Sequence, residues 1–108
     1  AVVGVFLIDS AENDFIHTLW ANAPMEEGEV KTIPGVEING AALIPAATGY
    51  FKYSGSLTTP PCTEAVTWFI MQKGMPIADS QADALIDIVG KNARPVQPLN
   101  GRVIKASK

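Results

Sequence analysis

The sequence is short of cysteine, histidine and long apolar runs, and each shortage excludes something. One cysteine, Cys62, cannot close a disulfide inside the chain. It reads either as a small buried apolar residue or as half of a bridge to another chain or segment. One histidine, His17, cannot make a zinc site, which needs three or four converging ligands; nothing at useful spacing accompanies it. No stretch approaches the roughly 20 apolar residues of a membrane span, so no membrane span is expected. Positive charge is also scarce. Eight Lys and Arg against eleven Asp and Glu give a net charge of −3, which argues against nucleic acid as a partner. Acids gather early, at Glu12, Asp14, Glu26, Glu27 and Glu29, and cations late, at Lys91, Arg94, Arg102, Lys105 and Lys108, a pattern read as solvated surface. There is no internal repeat, low-complexity tract or linker, so residues 1–108 are expected to form part or all of one domain.

The chain is 47% apolar, enough for one modest core. Residues 1–8 are apolar throughout, with Asp9 as the first charge. Such a run predicts a strand buried on both faces and central in a sheet. It lacks the basic flank and cleavage site of a signal peptide. A chain opening on a central strand is either an N-terminal strand with its neighbours or the later part of a larger domain, and the residues leave both open. Phe15, Ile16, Leu19 and Trp20 fall within one arc of a short helix, with His17 pointing to solvent. Residues 22–35 read as loop, Val36-Glu37-Ile38 as a short strand, and Asn39-Gly40 as a turn. Residues 74–77 read as a turn. Ser80 is the expected N-cap of a helix whose apolar positions Ala82, Leu85, Ile86 and Val89 recur at i, i+3, i+4 and i+7, with Gly90 as its stop. Pro95 and Pro98 predict an extended segment before a last short strand over residues 102–105.

Residues 49–73 organise the rest. Tyr50, Phe51 and Tyr53 enrich a first strand. A second alternates, with Val66, Trp68 and Ile70 on one face and Ala65, Thr67, Phe69 and Met71 on the other. Between them lies Ser56-Leu57-Thr58-Thr59-Pro60-Pro61, where paired prolines fix φ and hold Thr59 extended. Thr58 and Thr59 each offer one donor and two acceptors. Beside them Leu57, Val66 and Trp68 offer an apolar wall, and such a pairing suits a small neutral substrate. Turn-stabilising threonines beside ordinary core residues would read the same way.

The run Ser-Leu-Thr-Thr-Pro-Pro-Cys-Thr-Glu followed by Ala-Val-Thr-Trp closely resembles the active-site segment of the α-class carbonic anhydrases, with Cys62 as in the bacterial members. Val2-Val3-Gly4-Val5-Phe6-Leu7 is similar to that family's central strand, and residues 92–102 to its C-terminal segment. The resemblance implies a mainly β, α+β fold: a twisted, mostly antiparallel sheet with short peripheral helices, incomplete in this chain. It implies zinc-dependent, reversible hydration of carbon dioxide to bicarbonate and a proton. The family's three zinc-ligand histidines lie upstream of the matched part, so Zn would be held by a missing N-terminal portion of the same domain, and the 108 residues alone would be inactive. By the same resemblance, Thr58 orients the zinc-bound hydroxide, Thr59 contacts bicarbonate or bound anions, and Leu57, Val2, Val66 and Trp68 hold carbon dioxide. Glu64 matches a structural position, and Pro60-Pro61 resembles a cis peptide. Cys62 would pair with an upstream cysteine, which implies a periplasmic or secreted protein. The alternative is a metal-free carbonic-anhydrase-like binding or structural module.

Overall fold

The computed structural model describes residues 1–26, 28–46 and 48–107; the expected acid at Glu27 and cation at Lys108 lie outside the described residues. Along the chain run β1 (Val2–Gly4), β2 (Leu7–Asp9), α1 (Asp14–Asn22), a 3-10 turn (Gly40–Leu43), β3 (Tyr50–Ser56), β4 (Glu64–Met71), β5 (Met75–Ile77), α2 (Asp79–Val89) and β6 (Lys105–Ala106). They form two compact units. One comprises Ala1–Phe6, Pro45–Gly74 and Ala93–Lys108; the other comprises Leu7–Ile44 and Met75–Asn92.

The first unit is a four-stranded sheet in the order β1-β4-β3-β6. β3 and β4 make its long antiparallel hairpin, from Tyr50↔Met71 to Ser56↔Glu64. β6 continues the antiparallel pattern on the outer edge of β3, whereas β1 joins β4 in parallel, Val2 opposite Trp68 and Gly4 opposite Ile70. Period-two alternation puts Val2, Phe51, Tyr53, Val66, Trp68 and Ile70 on one face. The other face carries Tyr50, whose ring meets Phe69 edge-on at 5.3 Å between centroids, and Lys52, whose ammonium sits 5.5 Å from the centre of the same ring.

The second unit joins two helices and a two-stranded parallel sheet, β2-β5. Its centre is a buried amide pair. The Asn13 backbone N–H donates to Gln81 Oε1 at 2.9 Å, and Gln81 Nε2 donates back to the Asn13 carbonyl at 2.9 Å. Asn13 also caps α1, its side-chain oxygen accepting from the Ile16 N–H at 3.0 Å. Gln81 Oε1 further accepts from the Ala78 N–H at the start of α2, and the Gln81 carbonyl accepts from the Trp20 indole at 2.6 Å. Ile16 and Ile77 are the buried hydrophobic residues of this unit.

Several expectations need correction. Residues 1–8 are two short strands, not one, and β1 is an edge of its sheet with Val3 half exposed, because among the described residues only β4 pairs with it. Residues 75–77, expected as a turn, extend alongside β2. Val36-Glu37-Ile38 pairs with nothing among the described residues, and Asn39 starts a 3-10 turn by accepting from the Ala41 N–H at 3.1 Å. α2 begins one residue after Ala78, so Ser80 lies inside it; Gln81 supplies the start signal through its side chain instead. The stripe Leu85, Ile86 and Val89 is exposed rather than packed. Gly90 does end α2, at φ +70°, with its N–H on the Ile86 carbonyl. The last strand is Lys105–Ala106, later and shorter than expected.

Candidate active-site turn and apolar face

β3 reaches the turn through a bulge. Gly55 lies opposite Val66 and Ser56 opposite Glu64, which leaves Ala65 as the extra residue, at φ +65°. The bulge re-aims the end of the hairpin while Val66 and Trp68, two residues apart, keep a common face. The turn that follows is closed twice. The Leu57 N–H donates to the Thr63 carbonyl at 2.9 Å, and the Cys62 N–H to the Thr59 carbonyl at 2.8 Å. Within it the Pro60-Pro61 bond is cis, as the resemblance implied, so Thr59-Pro60-Pro61-Cys62 is a four-residue turn with cis-proline at its third position. Cys62 leaves it at φ +56°, half-buried and with a free thiol among the described residues.

The structure brings three of the six expected site residues onto one surface. Val2 and Trp68 are register partners, Val66 sits two positions along β4, and all three are half-buried. Leu57, Thr58 and Thr59 are exposed on the turn that joins the strands bearing that surface. Glu64 opens β4, exposed, opposite Ser56. The indole of Trp68 is held from two sides. Its Nε1–H donates to the Ser56 carbonyl at 3.1 Å, and the Tyr53 ring lies nearly parallel to it, 7° between planes and 6.4 Å between centroids. Gly55 leaves the necessary room: a Cβ there would stand 3.0 Å from Trp68 Cδ1 and 3.2 Å from its Nε1.

Sequence reasoning missed Tyr53, Gly55 and Ser56 as supports of the indole, and Arg94 and Arg102 as contacts of β3. Arg102 Nη1 donates to the Ser54 carbonyl at 2.9 Å and Arg94 Nη1 to Ser56 Oγ at 3.4 Å. Tyr53 and Gly55 could have been found by pairing the two strands in register. No local signal marks the arginines, whose partners lie 38 and 48 residues away.

The family model described as eukaryotic-type carbonic anhydrase matches residues 1–108. The chain belongs to the α-carbonic anhydrase family. It is 39% identical over 104 residues to a carbonic anhydrase of Nostoc sp. and 40% identical over 106 residues to one of Klebsiella pneumoniae, covering 96% of this chain in each case. Among solved structures, the α-carbonic anhydrase from Thermovibrio ammonificans in complex with the inhibitor sulfanilamide superposes with a TM-score of 0.87 at 37% identity, over 94% of this chain and 45% of that one. This α-carbonic anhydrase chain spans 39% and 42% of the Nostoc and Klebsiella proteins. Members of the family use zinc in general, yet no group of three His, Cys, Asp or Glu that could hold a metal ion occurs among the described residues. His17 is engaged elsewhere, Nδ1 lying 3.0 Å from Glu12 Oε1 with both side chains largely exposed. The described residues therefore do not fit a zinc site of their own.

Proposed function

We propose that this chain supplies the substrate-facing part of a carbonic anhydrase that hydrates carbon dioxide reversibly to bicarbonate and a proton, as a lyase. The observation that carries the reading is the surface of Val2, Val66 and Trp68 beside the Thr58-Thr59 turn. Carbon dioxide has no net dipole, so apolar side chains hold it without competing for its carbon. The Thr58 hydroxyl, donor and acceptor at once, has the capacity to fix the direction of the attacking oxygen. Thr59 offers a hydroxyl to the anionic product, and Leu57 extends the wall. Zinc and its histidine ligands belong, in this reading, to a segment outside these residues, an N-terminal portion completing one domain with residues 1–108. Val66, Trp68 and the two threonines favour an enzyme over a metal-free binding module, which has no need of that combination.

The test is carbon dioxide hydration by the protein carrying the upstream segment, with the 108-residue chain as comparison. The longer protein is expected to be active and zinc-loaded, and the isolated chain inactive with zinc added. Zinc-dependent turnover by the 108 residues alone would sink the assignment of the ligands. In the longer protein Thr58→Val is expected to lower kcat/KM by about 100-fold with zinc content unchanged. Periplasmic or secreted maturation, with Cys62 bridged to an upstream cysteine, is part of the proposal. It predicts that the bridged protein is lighter than the reduced one by two hydrogen atoms and has no free thiol at Cys62, read by intact mass before and after reduction.

A further inference from the structure

We propose that Arg102 is a positioning residue for the threonine turn, acting through the outer edge of β3; the proposal deepens the reading above and rests on it. In the β3–β6 ladder the carbonyls of alternate β3 residues face β6, as the Ser107 N–H donating to the Tyr50 carbonyl at 2.8 Å shows. β6 is only two residues long, so it ends before the bulge. At Ser54 a side chain replaces the strand: Arg102 Nη1 takes that carbonyl at 2.9 Å. The same guanidinium is held at its other nitrogens, Nε on the Leu99 carbonyl at 2.8 Å and Nη2 on the Pro98 carbonyl at 3.0 Å. Three carbonyls and a planar fork leave it little freedom to turn. Arg94, from the same segment, reaches Ser56 Oγ two residues further along, and the Ser56 carbonyl holds the Trp68 indole.

Ser54 and Ser56 flank Gly55, where the register slips and the chain departs for Thr58. Fastening Ser54 therefore fixes the angle at which the turn leaves the sheet. Lysine cannot do this, because a single ammonium on a flexible stem does not span three carbonyls in one plane.

The experiment uses the protein with its upstream segment. In Arg102→Lys, amide hydrogen exchange at Leu57 and Cys62 is expected to quicken by about tenfold or more, while Gly90 at the end of α2 keeps its wild-type rate. The kcat for hydration should fall by about tenfold with KM nearly unchanged, since a tilted turn misplaces the attacking oxygen more than it weakens the apolar surface. Unchanged exchange at Leu57 and Cys62 would overturn the proposal, as would equal quickening at Gly90, which marks general loosening. Should the variant not fold, wild-type protein decides: nitrogen NMR of the Arg102 guanidinium must show slowed rotation about Nε–Cζ, and a freely turning group refutes it. If the wild type hydrates no carbon dioxide, the functional reading fails while exchange and NMR still decide the role of Arg102.

Discussion

At the scale of single residues, the turn and the indole depend on what is small and on what is satisfied. Gly55 is needed because a Cβ would stand 3.0 Å from Trp68 Cδ1 and 3.3 Å from Tyr53 Cε2, inside ordinary contact distance. Gly55→Ala is expected to cost about 1–3 kcal/mol in urea unfolding, as overpacking does elsewhere. It should also shift the Trp68 emission as the indole leaves the Ser56 carbonyl. An unchanged spectrum would mean that the stacked arrangement with Tyr53 yields instead. Trp68→Phe should keep most of the apolar surface and lose the bond to Ser56, at about 1 kcal/mol. A loss of several kcal/mol would show that the indole is packed more tightly than its half-buried state indicates.

Elements are joined in the second unit by amides rather than by a large apolar contact. Asn13 and Gln81 are 5% and 7% exposed, so the groups they satisfy have little access to water. Gln81→Ala leaves the Asn13 N–H and carbonyl and the Ala78 N–H without their partner, and is expected to cost about 2 kcal/mol or more. The signature is local: exchange at the Ile16 amide should quicken, because Gln81 holds the backbone of Asn13, whose side chain caps α1 and is otherwise anchored on the Pro76 carbonyl at 2.9 Å. Asn13→Ala should cost about 1–2 kcal/mol, and the double variant less than the sum, since both changes break one network. Strict additivity would deny the coupling.

For the molecule as a whole, exposed apolar surface is the dominant physical fact. Val3, Phe6, Leu7 and Ile8 near the start, and Leu85, Ile86, Ile88 and Val89 on α2, each expose between 39% and 67% of their area. Exposed apolar side chains in such number mark interaction surfaces or aggregation-prone surface. The isolated 108-residue chain is therefore expected to bind a hydrophobic dye and to self-associate in sedimentation, and the longer protein to do neither. A monomeric, dye-silent chain would show that these side chains find cover within the chain itself. The proposed carbon dioxide hydration belongs to this scale too, because the apolar face and the threonine turn lie here and no metal-ligand group does among the described residues.

The sequence by itself determined the parts whose causes are local. Paired prolines and two threonines specify the turn at residues 58–61, alternation puts Val66 and Trp68 on one face, and apolar spacing with Gly90 locates α2. The nine-residue motif identified the family. Tertiary structure alone decided what depends on distant partners. Residues 75–77 are a strand because β2 offers them a ladder, and β1 is an edge because β4 is its one neighbour in the sheet among the described residues. Gln81 rather than Ser80 starts α2 because its amide also meets Asn13, 68 residues away. Arg102 holds Ser54 across 48 residues. Hydrogen-bond donors of this kind carry no period and no spacing, so only the folded chain reveals which carbonyl each one meets.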